Sequence, residues 1–155
     1  HSNLRRQRQM CIRDRSSSAY GIGNIKNSFK TPLGAHVISE KIGNRVPKGA
    51  IFKGRIWTNE IAKIEEEPID IPEDVITSRI LWLDGLEENR NRGGIVDSKS
   101  RYIYIHGTAE EGLIGKPASL GCIRMLNDDV IEIFKKVRVG TQVLIFTNKE
   151  PYKTL

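Results

Sequence analysis

The segment Arg101-Tyr102-Ile103-Tyr104-Ile105-His106-Gly107-Thr108 decides the fold. Branched apolar residues alternate with aromatic or polar ones, the period-two pattern of a half-buried strand. Ile103 and Ile105 are expected on the core face, with Tyr102, Tyr104 and His106 on the opposite face. Downstream, Asn127 reads as a natural N-cap, with Asp128 and Asp129 suiting the first-turn dipole. Val130, Ile131, Ile133, Phe134 and Val137 then recur at helical spacing, and Gly140 stops the run. This predicts one helix over about 127–139. Upstream, residues 36–39, 50–57 and 75–83 read as strands, and 143–146 as a closing strand. The acidic, proline-containing stretch 64–72 and the polar stretch 87–98 read as loops. The sum is a mainly β domain with one packed helix.

The chain has 155 residues, enough for one compact domain. Hydrophobic residues are 38% and charged residues 28%, which argues against disorder, a collagen-like repeat or a coiled coil. No apolar run approaches the ~18–20 residues of a membrane-spanning helix. Two cysteines cannot build a disulfide scaffold. The net charge of +6 is mostly local: residues 1–15 hold five arginines against Asp14, which is +4. Residues 16–155 hold 20 basic and 18 acidic side chains, or +2, with no basic stripe, so no nucleic-acid partner is expected.

Residues 1–16 have neither helical nor strand periodicity and read as a disordered basic tail. They are no secretory signal, because no apolar region follows the arginines. Met10-Cys11-Ile12-Arg13-Asp14-Arg15 resembles translated sequencing-adapter DNA. On that reading the tail is not native and the protein continues upstream.

Two segments look chemical, Ile105-His106-Gly107-Thr108 and Pro117-Ala118-Ser119-Leu120-Gly121-Cys122-Ile123-Arg124-Met125. A cysteine attacks as thiolate, and a nearby imidazole can take its proton. His106 precedes Cys122 by 16 residues, and the glycine-rich loop between them can fold back to join them. Gly121 permits a tight turn whose amides face a developing oxyanion. Arg124 can anchor a carboxylate through a bidentate contact. Taken singly, each has an ordinary alternative: a buried thiol, a structural histidine, a surface arginine, packing tyrosines. No Cys-x-x-Cys or His-x-x-x-His spacing suggests a metal site.

Together, His106-Gly107-Thr108, Ile114-Gly115, Ser119-Leu120-Gly121-Cys122-Ile123-Arg124-Met125 and Asn127-Asp128-Asp129 resemble the L,D-transpeptidase catalytic domain, the YkuD-like family. Thr31-Pro32-Leu33-Gly34 and Gly140-Thr141-Gln142-Val143 are similar to its Thr-Pro-x-Gly turn and closing Gly-Thr-x-Val strand. The resemblance implies a β-sandwich or open barrel with one packed helix, a catalytic domain over 17–150, and first strands missing from this chain. It implies an enzyme of bacterial cell-wall synthesis in the periplasm or cell envelope, acting as a monomer without cofactor or metal. The substrates would be peptidoglycan stem peptides, of meso-diaminopimelate type. A cysteine thioester would form on a stem tetrapeptide and pass to an amine, giving a 3-3 cross-link or another product.

By position, Cys122 is then the nucleophile, His106 the base and the Gly107 carbonyl its orienting group. Amides of Leu120, Gly121 and Cys122 form the oxyanion hole, and Arg124, Ser119 and Tyr104 contact substrate. Leu120 departs from the family's frequent histidine, which puts the donor pocket in question. An L,D-carboxypeptidase with the same site and a non-catalytic peptidoglycan-binding module are the alternatives. Papain-like and NlpC-like hydrolases place cysteine before histidine, the reverse of this chain.

Overall fold

The computed structural model describes residues 15–147. Strands β1 (Arg15–Ser16), β2 (Gly34–Ile42), β3 (Ala50–Lys53), β4 (Ile56–Ile61), β5 (Ile76–Gly85), β6 (Tyr104–Thr108), β7 (Ile123–Met125) and β8 (Gln142–Ile145) form one curled sheet. Helix α1 (Asn127–Lys136) packs on it. The strand order is β1-β7-β6-β5-β2-β8, with β3 added to β5 and β4 to β3. Every pairing is antiparallel except β6 with β7.

Strand alternation sorts the interior into two clusters. On the helix side, Leu81 and Leu83 of β5, Ile105 of β6 and Met125 of β7 pack with Val130, Ile133 and Phe134. On the other side lie Ala50, Phe52, Ile80 and Tyr104, with Trp57, Trp82 and Cys122 against them. The expected separation of Ile103 and Ile105 from Tyr104 and His106 therefore holds. The ordered strand is shifted, however: it starts at Tyr104, and Tyr102 sits before it at φ 57.

Other boundaries differ. The stretch 50–57 is not one strand but a hairpin that turns at Gly54-Arg55, where both residues have positive φ. The helix ends at Lys136, three residues before the expected 139, because Val137 is extended and buried in the core. Its N-cap is Leu126, and Asn127 is instead a fully buried helical residue. The Asn127 amide donates to the Thr108 carbonyl and to Glu111, while its Oδ1 accepts from Thr77 and Ser78. The cap position was misread because that side chain serves tertiary contacts rather than its own first turn. The tail expectation over 1–16 lies outside the described residues up to 14, and Arg15 and Ser16 pair with Met125 and Arg124. No helix among the described residues is long and apolar enough to cross a membrane.

Candidate functional site

The parallel pairing of β6 and β7 aligns Ile105 with Ile123 and His106 with Arg124. It thereby lays Cys122, just before β7, beside the start of β6. There the Tyr104 N–H donates to Cys122 Sγ at 3.3 Å, and the thiol donates to the Tyr102 carbonyl at 3.3 Å. Burial is the main force on this thiol and raises its pKa to about 11. No hydrogen bond joins Sγ to the His106 ring, so the two residues share one face of the sheet without touching through a proton.

His106 is buried, and its Nδ1 donates to the Gly107 carbonyl at 2.5 Å. That bond leaves Nε2 as the proton-accepting nitrogen. Burial lowers the imidazole pKa, the Gly107 bond opposes this, and the ring is held neutral near neutral pH. Glycine is required at 107, because a Cβ there would stand 2.6 Å from Asn127 Oδ1 and 2.7 Å from the Thr77 carbonyl.

The turn before the cysteine is built from within. Ser119 is buried; its hydroxyl donates to the Cys122 carbonyl at 2.5 Å and accepts from the Gly121 N–H at 3.3 Å. The Gly121 carbonyl accepts from Thr31 Oγ1 at 3.0 Å. Gly121 itself has φ 122, a conformation open to glycine and strained for other residues. Residues 17–19 brace the loop from outside: the Ser119 N–H donates to Ser17, and the Ala19 N–H to Ser119. Ser119 thus shapes the turn instead of facing substrate, and the Gly121 amide is already committed. Leu120 is 58% exposed beside them.

Arg124 departs most from its expected role. It is fully buried, with Nη1 donating to Glu110 at 2.6 Å and to Asp74 at 2.9 Å. Its Nε and Nη2 are buried with no partner. Burial works against an ionised Glu110, but the Ile71 N–H and Arg124 outweigh it and hold its pKa low. Asp70, bonded to Glu110, has its pKa raised in turn. Nη1 is thus committed to two carboxylates within the protein, while Nε and Nη2 remain buried donors without a partner. Sequence reasoning missed Asp74 and Glu110, since neither falls in a recognisable motif and their meeting with Arg124 is made by the fold. Among the described residues, no three or more His, Cys, Asp or Glu side chains are grouped to hold a metal ion.

Tyr104 is buried, and its hydroxyl accepts from Arg55 Nη1 at 3.0 Å. Its ring meets Trp82 edge-on at 5.7 Å, and Tyr102 lies 5.9 Å from the same indole. Arg55 was also missed. The signal was Gly54 within an otherwise continuous strand pattern, which marks a turn or bulge.

Comparison with known proteins gives one family. A profile of the L,D-transpeptidase catalytic domain matches residues 3–145. YqjB of Bacillus subtilis, which carries an L,D-transpeptidase name, is 45% identical over 55 residues, covering 36% of this chain and 31% of its own. YcfS of Escherichia coli, named likewise, is 29% identical over 129 residues, covering 81% of this chain and 35% of its own. A solved L,D-transpeptidase from Mycobacterium smegmatis overlays at a TM-score of 0.45 with 18% identity, covering 87% of this chain and 48% of that one. The chain spans about a third of the length of YqjB and YcfS.

Proposed function

Because this chain belongs to the L,D-transpeptidase catalytic-domain family, we propose that it cleaves and rejoins peptidoglycan stem peptides through a thioester on Cys122. As Sγ attacks the carbonyl of the third stem residue, its proton passes to His106 Nε2. The resulting oxyanion lies against the amides of Leu120 and Cys122. Collapse expels the terminal D-alanine, whose amine takes the proton from the imidazolium. An acceptor amine then attacks the thioester, loses its proton to His106, and the departing sulfur is reprotonated. The product is a 3-3 cross-link when the acceptor is a second stem of the meso-diaminopimelate type, and the reaction belongs in the periplasm or cell envelope.

The observation that supports this reading most is the His106–Gly107 bond. It presents a neutral imidazole, proton-accepting at Nε2, on the face of the sheet that carries the thiol. A thiol this hard to ionise attacks with its proton leaving, not as a thiolate formed beforehand. Attack therefore requires Sγ to turn from the Tyr102 carbonyl toward His106.

The test is intact-protein mass spectrometry after incubation with a carbapenem. Wild type and Cys11→Ala are expected to gain one adduct, and Cys122→Ala none while keeping its circular dichroism. An adduct retained on Cys122→Ala, or absent from folded wild type, refutes the assignment.

A further inference from the structure

Arg124 is buried with Nη1 taken up by Glu110 and Asp74, whereas a second arginine stands at the rim beside the cysteine's backbone partners. Arg55 occupies the tip of the β3–β4 hairpin at φ 64. Its guanidinium carbon stands 4.5 Å from the Trp82 ring and 5.4 Å from the Tyr102 ring. Stacking of this kind occupies the faces of a planar guanidinium and leaves its N–H donors pointing outward in the plane. Only Nη1 is engaged among the described residues, on the Tyr104 hydroxyl. No carboxylate among them pairs with it. The residues that hold it are the ones that seat the nucleophile, since Tyr102 and Tyr104 supply both backbone partners of Cys122 Sγ. Arg55 is therefore one tyrosine side chain from the reacting sulfur, fixed in position, with its remaining donors unspent.

From this juxtaposition we propose that Arg55 is the carboxylate-binding residue of the donor site, gripping a carboxylate of the stem peptide close to the scissile bond. The proposal rests on the transpeptidase reading for the identity of the peptide. The D-glutamate, diaminopimelate and terminal D-alanine carboxylates share the required chemistry. Lys99 stands over Trp82 at 4.7 Å but is paired with Glu40 at 3.6 Å, and Arg101, whose charge acts on the Cys122 thiol, spends donors on the Lys30 and Gly23 carbonyls; Arg55 is the cation of this rim held on aromatic faces.

The experiment measures binding of an N-acetylated L-Ala-γ-D-Glu-meso-diaminopimelate-D-Ala peptide to Cys122→Ala protein by calorimetry and intrinsic tryptophan fluorescence. The same peptide amidated at each of its three carboxylates is run alongside. One amidation is expected to weaken binding by about ten-fold or more, the scale of a hydrogen bond to a charged group. Arg55→Met, in the same background, is expected to lose that factor on the free peptide and nothing further on the peptide amidated at that carboxylate. Arg55→Lys recovers part of it. The proposal is overturned if no amidation matters, if no peptide binds, or if Arg55→Met weakens all four peptides equally, as a merely structural residue would. The amidation series on unaltered Arg55 decides the point even if Arg55→Met fails to fold. Binding is read without turnover, so a wild type that binds but forms no thioester refutes the transpeptidase reading and leaves the Arg55 result standing.

Discussion

The amide of Tyr104 donates to Cys122 Sγ at 3.3 Å, so the leading backbone of β6, and not the His106 imidazole, holds the resting thiol. The seat is desolvated, and the thiol is pushed up to about 11. Alkylation of Cys122 by iodoacetamide, followed in a Cys11→Ala background, is therefore expected to rise through a midpoint near 11. An ordinary cysteine has its midpoint near ~8.5. A measured midpoint at the ordinary value would remove the argument for concerted proton transfer.

Two buried histidines set an acid-side dependence of stability. His36 Nδ1 donates to the Gly34 carbonyl at 3.0 Å, and its Nε2 meets Ser98 Oγ at 2.8 Å. Burial holds the pKa values of His36 and His106 below the ordinary imidazole value of 6.5. The unfolded chain then binds more protons than the folded one between the two values, so stability is present above 6.5 and lost as pH falls toward the folded value. Each histidine contributes a slope of up to about 1.4 kcal/mol per pH unit in that window. Urea midpoints should fall between about pH 7.5 and 5.5, and His106→Gln should flatten the slope. A midpoint that stays level would contradict the burial of both rings.

Arg124→Met leaves Glu110 buried opposite no charge. Removing one partner of such a pair is expected to cost about 3–5 kcal/mol. In a chain of this size that is on the order of 10 °C in melting temperature. Arg124→Met combined with Glu110→Leu should recover most of the loss. Calorimetry of the three variants checks this; a melting temperature unchanged in Arg124→Met would mean that the ion pair is not closed.

Gly107→Ala forces a Cβ into Asn127 Oδ1 and the Thr77 carbonyl. Overpacking of this kind is expected to cost roughly 1–3 kcal/mol. It also displaces the carbonyl that fixes the His106 tautomer, so carbapenem acylation should slow by more than stability alone explains. Single-turnover rates on folded protein at low temperature separate the two effects.

Asn127→Leu removes the amide that joins Thr108, Glu111, Thr77 and Ser78 beneath the strand carrying His106. It leaves several buried groups unpaired, each worth about 1–3 kcal/mol. A destabilisation of at least about 2 kcal/mol in urea unfolding is expected. A smaller change would place Asn127 at the helix cap after all.

The alternation through Tyr104, Ile105 and His106 and the apolar stripe from Val130 to Phe134 were legible because each is a local period imposed by one burial face. His106 and Cys122 were legible as members of one motif; the structure sets them on neighbouring strands without a hydrogen bond between them, and His106 Nδ1 donates to the Gly107 carbonyl. The hairpin at Gly54-Arg55 was not legible, because strand-forming residues flank it on both sides and hide the reversal. Strand β7 is three residues long, too short to carry a period, and its parallel partner lies 18 residues earlier in the chain.

By itself, then, the sequence determined most element types, the two faces of β6, and the motif by which the family is read. Tertiary structure decided which cation is buried and which is presented. Arg124 of β7 is buried against Asp74 and Glu110, while Arg55 lies over Trp82 and Tyr102 at a hairpin turn. Charge is a property of a residue, but the solvent and the partners that give it a role come from chain segments far away in sequence.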